Sequence, residues 1–143
     1  MRPMKRDWIL PLGFLILLTI LIGATGFLPA AAETITGSVD FEPSRLDLQT
    51  GFGVAWVEGT IRFPSGKGAT VKDINTSTIL LEGTLPANST YLISGGLVAK
   101  FDSQMVEYII QAKINHMGLT PPYKVWLTIT GNLKDSAGGT PFS

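Results

Sequence analysis

The stretch Ala55-Trp56-Val57-Glu58-Gly59-Thr60-Ile61-Arg62-Phe63 alternates without a break. Ala55, Val57, Gly59, Ile61 and Phe63 fall on one face, and Trp56, Glu58, Thr60 and Arg62 fall on the other. A period of two is the signature of a pleated strand with one buried face. Pro64-Ser65-Gly66-Lys67-Gly68 ends the strand, because proline and glycine favour turns. Upstream, Ile35, Gly37, Val39 and Phe41 oppose Thr34, Thr36, Ser38 and Asp40 before the Glu42-Pro43-Ser44 turn. Leu46 and Leu48 then alternate with Arg45, Asp47 and Gln49 up to the Gly51-Phe52-Gly53 turn. Downstream, Ile79 and Leu81 mark a short strand and Tyr91 to Ile93 another, and Gly95-Gly96 turns into Leu97, Ala99 and Phe101. Val125, Leu127 and Ile129 alternate with Trp126, Thr128 and Thr130, and Leu133 lies beyond Gly131.

One segment changes period. Met105, Val106, Ile109, Ile110 and Ile114 are spaced for one face of a helix over residues 103 to 115. Asp102 or Ser103 is suited to cap its start, and Met117-Gly118 followed by Pro121-Pro122 ends it. Short strands separated by turn signals, with one helix, predict a mainly β fold: a sandwich of about six to seven strands. The expected domain is residues 33–143, a size that buries one core without staples.

Residues 1–32 are of another kind. Arg2, Lys5 and Arg6 precede an uncharged stretch from Trp8 to Ala32 that closes on Pro29-Ala30-Ala31-Ala32. A basic start, an apolar centre and a small-residue exit are the parts of a secretory signal. Cleavage is expected between Ala32 and Glu33, with Ala30 and Ala32 filling the shallow pockets of the peptidase. The alternative is an uncleaved hydrophobic helix acting as a membrane anchor. The 25 residues from Trp8 to Ala32 are enough to cross a hydrocarbon core of about 30 Å. Both readings export residues 33–143, because basic residues on the N-terminal flank hold that end in the cytoplasm. Without cysteine there is no lipoprotein anchor.

Composition removes several functions. The chain has 143 residues with 11 basic and 11 acidic side chains, so no basic face is expected for nucleic acid. Absence of cysteine excludes thiolate zinc sites, iron–sulfur clusters, disulfides and cysteine nucleophiles. A single histidine excludes sites that need two imidazoles. Losing three basic residues and Asp7 with the signal leaves 8 basic and 10 acidic groups, a net charge of −2. No nucleophile elbow, phosphate loop or metal motif is present. No cofactor is expected, and membrane contact is expected only through residues 8–32 if they stay uncleaved.

The order of the short motifs carries a resemblance. Val39-Asp40-Phe41-Glu42-Pro43 followed by Leu46-Asp47-Leu48 looks like the opening of a small immunoglobulin-like β-sandwich domain of exported archaeal and bacterial surface proteins. Ile74-Asn75-Thr76-Ser77-Thr78-Ile79-Leu80-Leu81, Gly83-Thr84-Leu85-Pro86-Ala87 and Val98-Ala99-Lys100-Phe101-Asp102 are similar to its next three elements. Leu127-Thr128-Ile129-Thr130-Gly131-Asn132-Leu133-Lys134-Asp135 resembles its closing motif, so the series spans nearly all of residues 38–142. The resemblance implies an immunoglobulin-like surface or wall module without catalysis. Two departures stand out. Residues 88–96 lack the carboxylates of the family's calcium-type loop, so calcium is not expected here. Family members also continue into a last strand where this chain ends at Ser143.

Candidate residues follow. Trp56 and Trp126 take the outward register of their strands and are the candidates for contact with a partner or a sugar ring. The competing expectation is that helix 103–115 or a loop covers them. Asn75-Thr76-Ser77 and Asn88-Ser89-Thr90 are glycosylation sequons, and modification would exclude their faces from an interface. Asp40, Glu42 and Asp47 flank the first turn and read as surface carboxylates, and His116 reads as a solvated loop residue. Thr34 to Phe41, with Ile35, Val39 and Phe41 inward, is a candidate strand to replace the missing last one. It would act within its own chain or be donated to a neighbour, head to tail, in a filament. The expected function is a non-catalytic structural or adhesive role at the cell surface, with protein partners or itself. The alternatives are a filament subunit and a carbohydrate-binding module that takes a surface glycan.

Overall fold

The structure is a computed structural model that describes residues 33–143. The expected N-terminal apolar helix, with Ala30 and Ala32, lies outside the described residues; Glu33 is the first described residue and is exposed. Among the described residues no helix is long and apolar enough to cross a membrane.

In chain order the elements are β1 (Ser38–Glu42), β2 (Trp56–Arg62), β3 (Ile74–Leu81) and β4 (Leu85–Pro86). They continue with β5 (Ser89–Ile93), β6 (Gly96–Asp102), helix α1 (Ser103–Met117), β7 (Ile129–Leu133) and β8 (Pro141–Phe142). The strands form two four-stranded antiparallel sheets, ordered β1-β2-β6-β5 and β4-β3-β7-β8. This is a mainly β fold of two sheets and one helix, in keeping with a β-sandwich.

The alternation of β2 is realised: Val57, Gly59 and Ile61 are buried, while Trp56, Glu58, Thr60 and Arg62 face outward. The core joins Val57 and Ile61 to Ile74, Ile79 and Leu81 of β3, Phe101 of β6, Val106 of α1, and Ile129, Leu133 and Phe142. Helix α1 starts where the Asp102 carboxylate accepts the Met105 N–H at 3.0 Å, satisfying one orphan donor of the first turn. It stops at Gly118, whose φ of 60° is left-handed. Its buried side chains are Val106 and Ile114, and it packs on β6 and β2.

The first described stretch serves both sheets. The Ile35 and Gly37 N–H groups donate to Pro141 O (3.0 Å) and Ser143 O (2.9 Å), and Ser143 N–H donates to Ile35 O (3.0 Å). This parallel pairing covers the free side of β8. The chain then crosses to the other sheet as β1, beside β2. Gly37 sits at the crossing, where a β-carbon would lie 2.9 Å from Arg62 O and 3.2 Å from the Phe63 ring. Ile35, Val39 and Phe41 thus all pack against the core of their own chain.

Two expected strands differ. Leu46 and Leu48 belong to a loop in which Asp47 Oδ1 accepts the Gln49 N–H at 2.8 Å and Gly51 N–H donates to Asp47 O at 2.7 Å. An aspartate folded onto its own backbone makes a turn, which outweighs a two-leucine alternation. Val125 to Leu127 alternate as expected but are not a strand, because β3 ends at Leu81, opposite Ile129. Among the described residues the strands number eight, against the expected six to seven or so, because β4 and β8 are pieces of two residues.

Candidate functional site

Two irregular stretches and helix α1 meet beside β1. Val39 and Phe41, with Leu46, Leu48 and Phe52 of the following loop, line one part of a groove of about 700 Å3. Ile110 and Ile114 of α1 and Val57 of β2 line it too, and Pro122, Tyr123, Val125, Trp126 and Leu127 complete it. Its polar lining comes from Asp40, Ser44 and Arg45. Apolar walls with a few polar groups suit binding.

The stretch bearing Trp126 has no neighbouring strand, and side chains hold it instead. Lys113 Nζ donates to Trp126 O at 2.8 Å and pairs with Glu82 Oε2 at 2.6 Å. Glu82 Oε1 accepts the Thr128 N–H at 2.6 Å, and Glu82 N–H donates to Thr128 O at 2.8 Å. Glu82 adopts a φ of 52°, uncommon for a residue with a β-carbon. The backbone is thereby fixed while the indole stands free: Trp126 is 84% exposed.

The expectation that the helix or a loop covers the two tryptophans is overturned, since both are exposed. Trp56 is 38% exposed, and α1 directs Val106 and Ile114 into the core instead. The two tryptophans border different surfaces. Trp56 is on the outer side of β2, whereas Trp126 precedes β7 of the other sheet.

Beside Trp56 on the outer face runs a polar row. Glu58 pairs with Lys100 at 3.1 Å and accepts the Tyr91 hydroxyl at 2.9 Å, and Lys100 Nζ lies 5.4 Å from the Tyr91 ring centroid. The Lys100 hydrogen bond, then that of Tyr91, hold the Glu58 carboxyl below the usual carboxylate range. The same contact pushes the Tyr91 hydroxyl up.

The three carboxylates near the first turn do not converge. Asp40 is ion-paired with Arg62, and Glu42 stands opposite Glu58 in register. Asp47 bonds the backbone of its own turn, whose Gln49 N–H, followed by the Thr50 hydroxyl, lowers its pKa. His116 is exposed at the end of α1.

The sequons differ. Asn75 is half-buried on β3, and its Oδ1 accepts the Ser77 hydroxyl at 2.7 Å and the Ser77 N–H at 3.3 Å. Asn88 is exposed between β4 and β5. Residues that the sequence did not single out are Lys113 and Glu82.

Comparison with family models, with curated proteins and with solved structures finds no match to this chain.

Proposed function

We propose that residues 33–143 form an exported, non-catalytic domain of immunoglobulin-like type with a structural or adhesive role at the cell surface. The observation that carries this reading is the groove beside β1, with Trp126 84% exposed at its margin. An open aromatic next to an apolar hollow is what a contact surface needs. Export is supported by Arg2, Lys5 and Arg6, the apolar stretch to Ala32 and the alanine exit. The immunoglobulin-like type is supported by the ordered motifs over residues 38–142 and by two antiparallel sheets.

The test uses the producing cells. Intact mass is expected to begin at Glu33, and surface protease is expected to reach the protein. Trp126→Ala is expected to release it from the surface at unchanged melting temperature. Confinement to the cytosol defeats the reading. Retention of residues 1–32 replaces the secreted form with an anchored one that still faces outward.

A carbohydrate-binding role is the second reading, favoured by Trp126 and Tyr123, both exposed and lining the same groove. It rests on that pair, not on Trp56 with Trp126. The filament reading draws on Ile35, Val39 and Phe41, which in this structure are engaged within their own chain. Asn88, being exposed, is the better-placed of the two sequons for a glycan.

A further inference from the structure

The two sequons stand in different surroundings. Asn75 is half-buried on β3 and pairs in register with Asn132 of β7, and its Oδ1 holds the Ser77 hydroxyl and N–H. That amide is tied into the sheet, where a sugar would crowd the neighbouring strand. Asn88 is exposed at the bend that carries the chain from β4 of one sheet to β5 of the other. Its backbone N–H donates to Lys100 O at 2.7 Å, which fixes the bend while the side chain stands in solvent. Ser89 is exposed too, and Thr90 supplies the hydroxyl that completes the sequon.

The strand that begins at this sequon lacks a guard. An open sheet edge invites another strand unless charge, proline or a covering group blunts it. Residues 35–37 cover β8. Strand β4 is two residues long, one of them Pro86, and β1 carries Asp40 and Glu42 and runs into Pro43. Strand β5, Ser89-Thr90-Tyr91-Leu92-Ile93, has neither charge nor proline. Three consecutive side chains on it are open: Tyr91 42%, Leu92 52% and Ile93 40% exposed.

We infer that Asn88 carries an N-linked oligosaccharide, and that this glycan is the guard of the β5 edge. The inference rests on the export of residues 33–143, since the sequon is used in exported chains. In the transfer, Asn88 Nδ2 forms a bond to the anomeric carbon of a sugar carried on a lipid phosphate. The bond from that carbon to the phosphate oxygen breaks, the lipid phosphate leaves with the electron pair, and the amide gives up one proton. A strand of five residues is about 17 Å long, so an oligosaccharide a few rings long spans it. Such a group is bulky and solubilising. It shields the three open side chains and keeps other strands off the backbone beside them.

The test uses protein isolated from the producing cells. Digestion after glutamate separates the sequons, because Asn75 falls in peptide 59–82 and Asn88 in peptide 83–107. Mass spectrometry is expected to find a glycan on peptide 83–107. Asn88→Gln and Thr90→Ala are each expected to remove that mass, and Thr90→Ser, which keeps a hydroxyl, to retain it. Without the glycan, the highest concentration at which light scattering shows one species is expected to fall at least tenfold. Leu92→Lys added to Asn88→Gln is expected to restore it by charging the edge. An exported chain that begins at Glu33 with peptide 83–107 unmodified overturns the inference and leaves export standing. Confinement to the cytosol overturns both. A glycan at Asn88 whose removal leaves solubility unchanged, or a loss that Leu92→Lys does not repair, overturns its role as the guard.

Discussion

Gly131 stands opposite Phe142, and a β-carbon on it would lie 2.7 and 2.8 Å from two atoms of that ring. The ring is 2% exposed and meets Phe63 edge-on at 5.5 Å, so it has little room to retreat. Gly131→Ala is expected to cost about 1–3 kcal/mol, the usual range for overpacking, read from the urea midpoint. Trp126→Ala should leave the same midpoint within about 0.5 kcal/mol, since an open surface side chain contributes little to folding. Glu58 belongs with these single-residue effects because its lowered pKa is a stability statement. Its contribution is complete above the unfolded value of 4.5 and is lost as pH falls through the lower folded value. Glu58→Gln is therefore expected to lower stability slightly at neutral pH and to flatten the acid limb, the difference from the unmodified protein vanishing at low pH. The magnitude is small because Glu58 is one-third exposed and its charge is screened. A pH series of denaturant melts checks it, and an unchanged acid limb refutes the role given to Lys100 and Tyr91.

Among the elements, β2 was legible from sequence because its two faces differ at every step. Strand β3 was legible only at its end. Ile74, Ile79 and Leu81 are all buried, but 74 and 79 have opposite parity. The register shift between Asn75 and Leu80 reconciles them, and a strict period of two cannot see a bulge. Helix α1 was legible at both ends from Asp102 and Gly118, and Asp102→Ala is expected to cost about 1 kcal/mol in thermal or urea unfolding. The groove was not legible. Val125 and Leu127 keep their alternation, but what places them is the Lys113–Glu82–Thr128 network, whose members lie 46 and 13 residues from their backbone partners. Lys113→Met keeps the stem of the side chain and removes the donor. The expected result is faster hydrogen exchange at Thr128 and Glu82, whose N–H groups the network holds, with exchange in β2 and β6 unchanged. Uniform acceleration throughout the domain would instead mean that the network supports the whole fold.

At the scale of the whole molecule, the first sheet has two unlike ends. The β1 end carries the groove and is tied to the second sheet by the crossing at Gly37, whereas no described segment covers the β5 end. The surface at the β1 end is where the proposed adhesive role is tested. Trp126→Ala is expected to lower retention of labelled protein on the producing cells by at least tenfold, measured by washing intact cells, while the melting temperature stays unchanged because the indole is 84% exposed. Retention equal to that of the unmodified protein would mean that the groove is not the contact surface.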